Sequence, residues 1–247
     1  MLRTTLLIAG WTAAGLLPAM GQSLPSSIAE RGRELSQQPD RLSHTARSVS
    51  FRRELNGTAF FVDGAGHMLT ARHAVEDCAR VVIAKEGRSF AARVVALSPR
   101  EDLALLKVPK TLGLAAVFPR NSSPATSDLM FAASYDNLPG MIAGGGTLAN
   151  AVVADRRNGS GTLELESNAS FGTSGAPVLN SRGLVEGVVS RRRMINRVQA
   201  VGTTEAKAFL ASHSVRPSED DRPQIAGGGS RAHRAASISA RVTCLQN

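Results

Sequence analysis

From Val49 onward the chain is a succession of short apolar runs, each cut off by Gly, Asn, Asp, Pro or Ser. TAFFV, HMLTA, ARVVIA, FAARVVAL, DLALLKV, DLMFAAS, GTLANAVVA, TLELES, APVLN and LVEGVVS follow one another. Runs this short fall below the length of an ordinary amphipathic helix. Many short strands separated by turn residues build an all-β sandwich or barrel rather than alternating strand–helix units. Only near the end does the period change. In TTEAKAFLASHSV, Ala206, Phe209 and Leu210 share one helical face, with Thr203 or Thr204 as N-cap before Glu205.

The flanks differ in texture from this core. Residues 1–21 read as a secretory signal peptide. Arg3 gives a positive start, LLIAGWTAAGLLPAM is a short Gly-interrupted apolar segment, and Ala19-Met20-Gly21 puts small residues where a signal peptidase cuts. The alternative is a retained membrane anchor. Residues 22–48 form a polar extension and 49–215 the folded domain. Residues 216–247, opening on RPSEDDRPQIAGGGSRAHRA, have the composition of a linker and tail, although the final SISARVTCLQN regains alternation. Export leads to the periplasm or the extracellular space, with no stable membrane insertion once the signal is removed. In an oxidising compartment Cys78 and Cys244 allow one bridge with one connectivity; the alternative is two buried thiols. The net charge of +9 suits acidic surfaces or substrates. Its basic residues lack interleaved aromatics and no reading module is present, so a nucleic-acid binder is not expected. Neither a metal nor a cofactor is expected, and the chain is read as a monomer.

The stretch FGTSGAPVL places Ser174 between Thr173 and Gly175, with Gly172 just before and a Pro177-Val178-Leu179 run just after. By itself this is either the tip of a hairpin or a nucleophile on a tight turn. A serine hydroxyl needs a base to take its proton, and the base needs an acceptor behind it. Of five histidines, His73 stands apart. It follows a strand, the turn Asp63-Gly64-Ala65-Gly66 and a second strand, whereas His44, His213 and His233 lie in polar segments and His67 opens a strand. In SPREDLALLKV, Asp102 stands where a strand enters the core; it is either a cap or the buried acid.

Taken together, GTAFFVDGAGHMLTARHAV, ARVVALSPREDLALLKV and FGTSGAPVLNSRGLVEGVVS resemble the three motif blocks of the trypsin-like (chymotrypsin-fold) serine peptidases, above all the bacterial HtrA/DegP-type branch. The order His, Asp, Ser is that of this family. An α/β-hydrolase would run Ser, Asp, His, with Gly where this chain has Ala176. The resemblance spans about residues 48–213. It implies two six-stranded antiparallel β-barrels with a short C-terminal helix, and polypeptide substrates.

The resemblance also assigns roles. His73 aligns with the general base, Asp102 with the acid that orients it and Ser174 with the nucleophile, while the Gly172 and Ser174 amides align with the oxyanion hole. Ser190 matches the position whose backbone pairs with an extended substrate, and Arg191 and Arg192 continue that edge. Asn168 falls near the floor of the primary pocket, and its lack of charge argues against a preference for basic residues. The run Arg191-Arg192-Arg193, with Arg197 nearby, either favours acidic substrates or is a solvated charge run. Thr173 replaces the Asp that pairs with a newly cut N-terminus in the trypsin branch, so no such activation is expected. A PDZ module is not expected. The expected function is an exported serine endopeptidase working through an acyl-enzyme; the alternative is a secreted, catalytically weak or inactive binding module on the same fold.

Overall fold

The structure is a computed structural model that describes residues 53–146, 149–157, 161–167, 172–225 and 229–247. The signal peptide and the polar extension read from the sequence lie outside the described residues, as does Asn168.

Among the described residues, two barrels hold twelve of the fourteen strands. The first is closed in the order β1-β14-β3-β4-β5-β2. Its strands are β1 (Arg53–Phe61), β2 (His67–Thr70), β3 (Arg80–Lys85), β4 (Arg88–Leu97), β5 (Ala104–Lys107) and β14 (Ser239–Gln246). The second sheet runs in the order β10-β11-β12-β9-β8-β7. It comprises β7 (Leu129–Met130), β8 (Ala151–Arg157), β9 (Thr162–Ser167), β10 (Pro177–Leu179), β11 (Val185–Met194) and β12 (Arg197–Gly202). Phe131, directly after β7, exchanges both backbone hydrogen bonds with Leu179 of β10, at 2.9 and 2.8 Å, and so closes the second barrel. A parallel ribbon of β6 (Val117–Phe118) and β13 (Ser218–Glu219) lies outside both.

Alternation explains why the apolar runs look continuous. Successive strand residues point to opposite faces, and several strands here are covered on both. Phe61, Met68 and Leu106 fill the first barrel with Ile83 and Val242. Their neighbours Phe60, Leu69 and Leu105 join Phe131, Leu179 and Val188 of the second barrel in one shared cluster. Val153, Leu165, Val178 and Val189 fill the second barrel itself. A strand buried on both faces reads as AFFV or LALL rather than as a polar–apolar alternation.

Helix α1 (Leu138–Ala143) follows a short 3-10 turn. Helix α2 (Thr203–Ser212) is the one expected, with Ala206, Phe209 and Leu210 buried. Its N-cap, however, is Gly202 and neither of the threonines. Thr203 spends its hydroxyl on the Val185 carbonyl, and a Cβ at 202 would crowd the Gly161 carbonyl at 2.9 Å.

The main departure from the sequence reading is the end of the chain. Residues 216–247, read as linker and tail, contain a helix, α3 (Arg231–Ile238), and the barrel strand β14. β14 pairs with β1 from Arg53↔Gln246 to Phe60↔Ser239 and with β3 from Leu245↔Arg80 to Arg241↔Ala84. Lys85 helps fix this return. Its side chain is buried, and its Nζ donates to the Ala236 and Ser239 carbonyls, the latter at 2.9 Å, neutralising the C-terminal end of α3. Burial pushes the Lys85 ammonium down from its ordinary value, partly countered by Glu86. Cys78 and Cys244 form a disulfide with Cα atoms 5.3 Å apart, so of the two alternatives for these residues the bridge is realised. Among the described residues no helix is long and apolar enough to cross a membrane.

Candidate active site

His73 lies in a 3-10 turn, Arg72–Ala74, that ends β2. The turn is held by Val75 N–H and Glu76 N–H donating to the Arg72 carbonyl, at 3.0 and 2.9 Å. Ala74 and Val75 are buried in the first barrel, which leaves the imidazole at the rim with 44% of its side chain exposed. Asp102 approaches from the start of β5. A turn in which Ser98 Oγ donates to Glu101 at 2.6 Å, and Ser98 N–H to the Leu103 carbonyl at 2.9 Å, aims its carboxylate back under the imidazole.

The carboxylate is well supplied with donors. Oδ1 accepts the His73 backbone N–H at 3.0 Å, while Oδ2 accepts His73 Nδ1–H at 2.7 Å and Ser190 Oγ–H at 2.5 Å. Burial acts to raise the Asp102 carboxyl. The hydrogen bonds from His73 and Ser190 outweigh it and bring the group down to about 2. An ionised carboxylate only accepts, so Nδ1 carries the proton and the Nε2 lone pair faces Ser174 Oγ at 3.0 Å. The Asp102 hydrogen bond lifts the His73 pKa above its ordinary value; burial and Arg191 oppose the lift, and Glu76 adds to it.

The turn carrying Ser174 is fixed from three sides. Ala176 N–H donates to the Thr173 carbonyl at 2.9 Å, and Gly175 N–H to Val189 of β11 at 2.7 Å. From the other barrel, Thr58 of β1 donates its N–H to the Ser174 carbonyl at 2.9 Å and its Oγ1–H to the Gly172 carbonyl at 2.8 Å. Gly172 and Gly175 have φ of +81° and +82°, a region that costs any residue with a Cβ. Ala176 has no such φ and is fully buried among the second-barrel core residues.

Gly175 has no room for a side chain, since an added Cβ would overlap the Thr58 carbonyl oxygen and Thr70 Oγ1. Gly175→Ala is therefore expected to destabilise the fold by about 2–4 kcal/mol, from backbone strain and overpacking combined. A urea titration checks this, and an unchanged midpoint would contradict the geometry.

Of the residues singled out from sequence, His73, Asp102, Ser174, Gly172 and Ser190 converge at the junction of the barrels. Arg191 lines a cavity beside His73 and Asp102. Arg192 turns away, its guanidinium donating to the Met194 and Ile195 carbonyls of its own hairpin. Sequence reasoning missed Thr58, a fully buried threonine that also accepts Tyr135 N–H at 2.9 Å. Its place in GTAFF gives it the look of an ordinary strand residue. It assigned Ser190 a backbone role only, whereas the structure adds the hydroxyl's bond to Asp102. Among the described residues no cluster of metal-ligating side chains occurs.

This geometry can be set beside known proteins. An uncharacterized protein of Sinorhizobium fredii is 29% identical over 206 residues, 76% of this chain and 32% of that protein. A probable periplasmic serine endoprotease, DegP-like, from Bartonella henselae is 29% identical over 154 residues, 59% of this chain and 29% of the relative. The serine endoprotease DegS of Escherichia coli is 28% identical over 137 residues, 53% and 38% of the two chains. This chain thus spans about a third of the length of these curated relatives. The crystal structure of the serine endoprotease from Yersinia pestis superposes with a TM-score of 0.55 at 21% identity, covering 67% of this chain and 59% of that one, and shares the fold. Residues 57–188, more than half of the 247, match the family model of the trypsin-like peptidase domain, and that span holds His73, Asp102 and Ser174. The chain therefore belongs to the trypsin-like peptidase domain family.

Proposed function

We propose that this chain is an exported serine endopeptidase. One observation carries the reading: a single imidazole bridges Asp102 and Ser174 at 2.7 and 3.0 Å with the correct nitrogen toward each. In the reaction His73 Nε2 takes the Ser174 proton as Oγ attacks a peptide carbonyl, and Asp102 stabilises the imidazolium. The Gly172 and Ser174 amides supply donors to the developing oxyanion. His73 passes the proton to the leaving amine, giving the acyl-enzyme. Water activated by the same imidazole then releases the acid and restores Ser174. Export is supported by the disulfide, which oxidising compartments sustain, and by the periplasmic naming of the Bartonella relative.

A fluorophosphonate probe tests the proposal directly. The protein lacking residues 1–21 is expected to be labelled on Ser174, and both Ser174→Ala and His73→Ala to lose labelling. A folded natural protein that takes no label would refute the endopeptidase reading and leave a binding module on this fold.

A further inference from the structure

We propose that the cavity on the open side of His73 is a subsite for an acidic side chain of the substrate, held by Arg191 and Arg100. The inference rests on the endopeptidase reading above and specifies its substrate class. The cavity has a volume of about 460 Å³, and His73 and Asp102 form part of its wall together with Arg72, Arg100 and Arg191. Glu76 and Glu101 complete the lining, so with neutral His73 the formal charges cancel. The hydrogen-bonding capacity does not.

Each acid in this wall already has its donors. Glu76 accepts Arg72 Nε–H at 2.8 Å, and the same guanidinium donates to the Ser98 carbonyl at 3.0 Å. Glu101 accepts the Ser98 hydroxyl at 2.6 Å, and Asp102 is taken up by His73 and Ser190. The guanidinium groups of Arg100 and Arg191, which line the same cavity, have no hydrogen-bond acceptor or ion-pair partner among the described residues. A second hollow of about 150 Å³, bounded by Ser190 and Gln199, is lined by the same two arginines. Two planar five-donor groups thus flank one cleft without acceptors, an arrangement that suits a carboxylate entering from solution.

The sheet places a substrate there. β10 covers one edge of β11 only as far as Pro177↔Val188 and the Gly175–Val189 bond, whereas β12 holds the other edge through Met194↔Arg197. From Ser190 onward the first edge is open beside Ser174. An extended peptide can add to it as a strand, and its successive side chains then face opposite ways. The side chain of the residue whose carbonyl is attacked points to one side of the Ser174 turn. In the proposed pose the residue just before it faces the other way, toward His73 and the cavity lined by Arg191 and Arg100.

The test uses fluorogenic peptides differing only at that preceding position, with Asp, Glu, Asn, Gln or Lys. The mature natural protein is expected to favour the acids over their amides by about fivefold or more in kcat/KM, and less so near 1 M salt. In Arg100→Gln/Arg191→Gln the acid-to-amide ratio should fall to about one, and Arg191→Glu should turn the preference toward Lys. A natural protein that takes the fluorophosphonate label yet cleaves acid and amide peptides equally overturns the subsite while leaving the endopeptidase reading intact. A protein that neither labels nor cleaves overturns both.

Discussion

Asp102→Asn is expected to lower kcat about 10⁴-fold, the scale of loss when the acid of a Ser-His-Asp triad becomes an amide, with little change in KM or stability. The reason is the direction of the hydrogen bonds. Asp102 accepts from three donors, the His73 backbone N–H, His73 Nδ1–H and Ser190 Oγ–H. An asparagine must present its NH₂ to one of those groups. If it faces Nδ1, the imidazole moves its proton to Nε2 and can no longer accept from Ser174. The pH profile supplies a second readout. Catalysis needs neutral His73, and the Asp102 bond raises its pKa, so in the natural protein activity rises with pH around a midpoint above the ordinary 6.5. Burial and Arg191 act to lower that midpoint and Glu76 to raise it, and all three remain in the variant. The acid limb of kcat/KM should therefore move to lower pH in Asp102→Asn. A limb that stays in place, with kcat preserved, would mean that Asp102 does not govern His73.

His73, Asp102 and Ser174 were legible as candidates because each sits in a short motif whose local structure is set by its neighbours. TARHAV makes a turn at the end of a strand, EDLALLKV a strand entrance, and FGTSGAPVL a glycine-bounded turn. The strand content was legible from run length, and the short helix from its change of period. What escaped was non-local. Thr58 acts through bonds to Gly172 and Tyr135, partners 114 and 77 residues away, which no window on GTAFF contains. Arg100 comes to line the same cavities as Arg191 only through the fold. The most instructive miss is β14. The AGGGS stretch before it has the composition of a linker, and eight residues with Arg241, Thr243 and Gln246 among them are too short and mixed to demand a core. They become a barrel strand because β1 and β3 both present open edges, which one returning segment satisfies at once.

That return makes the disulfide the second large effect. Cys78 lies just beyond the turn bearing His73, and Cys244 sits fully buried on β14, opposite Leu55 on one side and Val81 on the other. The bridge spans 166 residues, so it ties the last strand of the first barrel to the loop that follows His73. Chain-entropy reasoning gives about 5 kcal/mol for a closure of this length, and native bridges when removed cost about 2–5 kcal/mol. Cys78→Ala/Cys244→Ala is therefore expected to lose about 3–5 kcal/mol, or roughly 10–15 °C in Tm for a domain of this size. Two backbone ladders still hold β14, so the variant should fold at low temperature and retain triad-dependent labelling there. On warming, labelling should fail before the global transition, because freeing β14 opens the barrel edges nearest the His73 turn. Reducing the natural protein with excess thiol should reproduce the same fall in Tm. Equal Tm values for the oxidised, reduced and double-alanine proteins would show that β14 is held by its hydrogen bonds and apolar contacts alone.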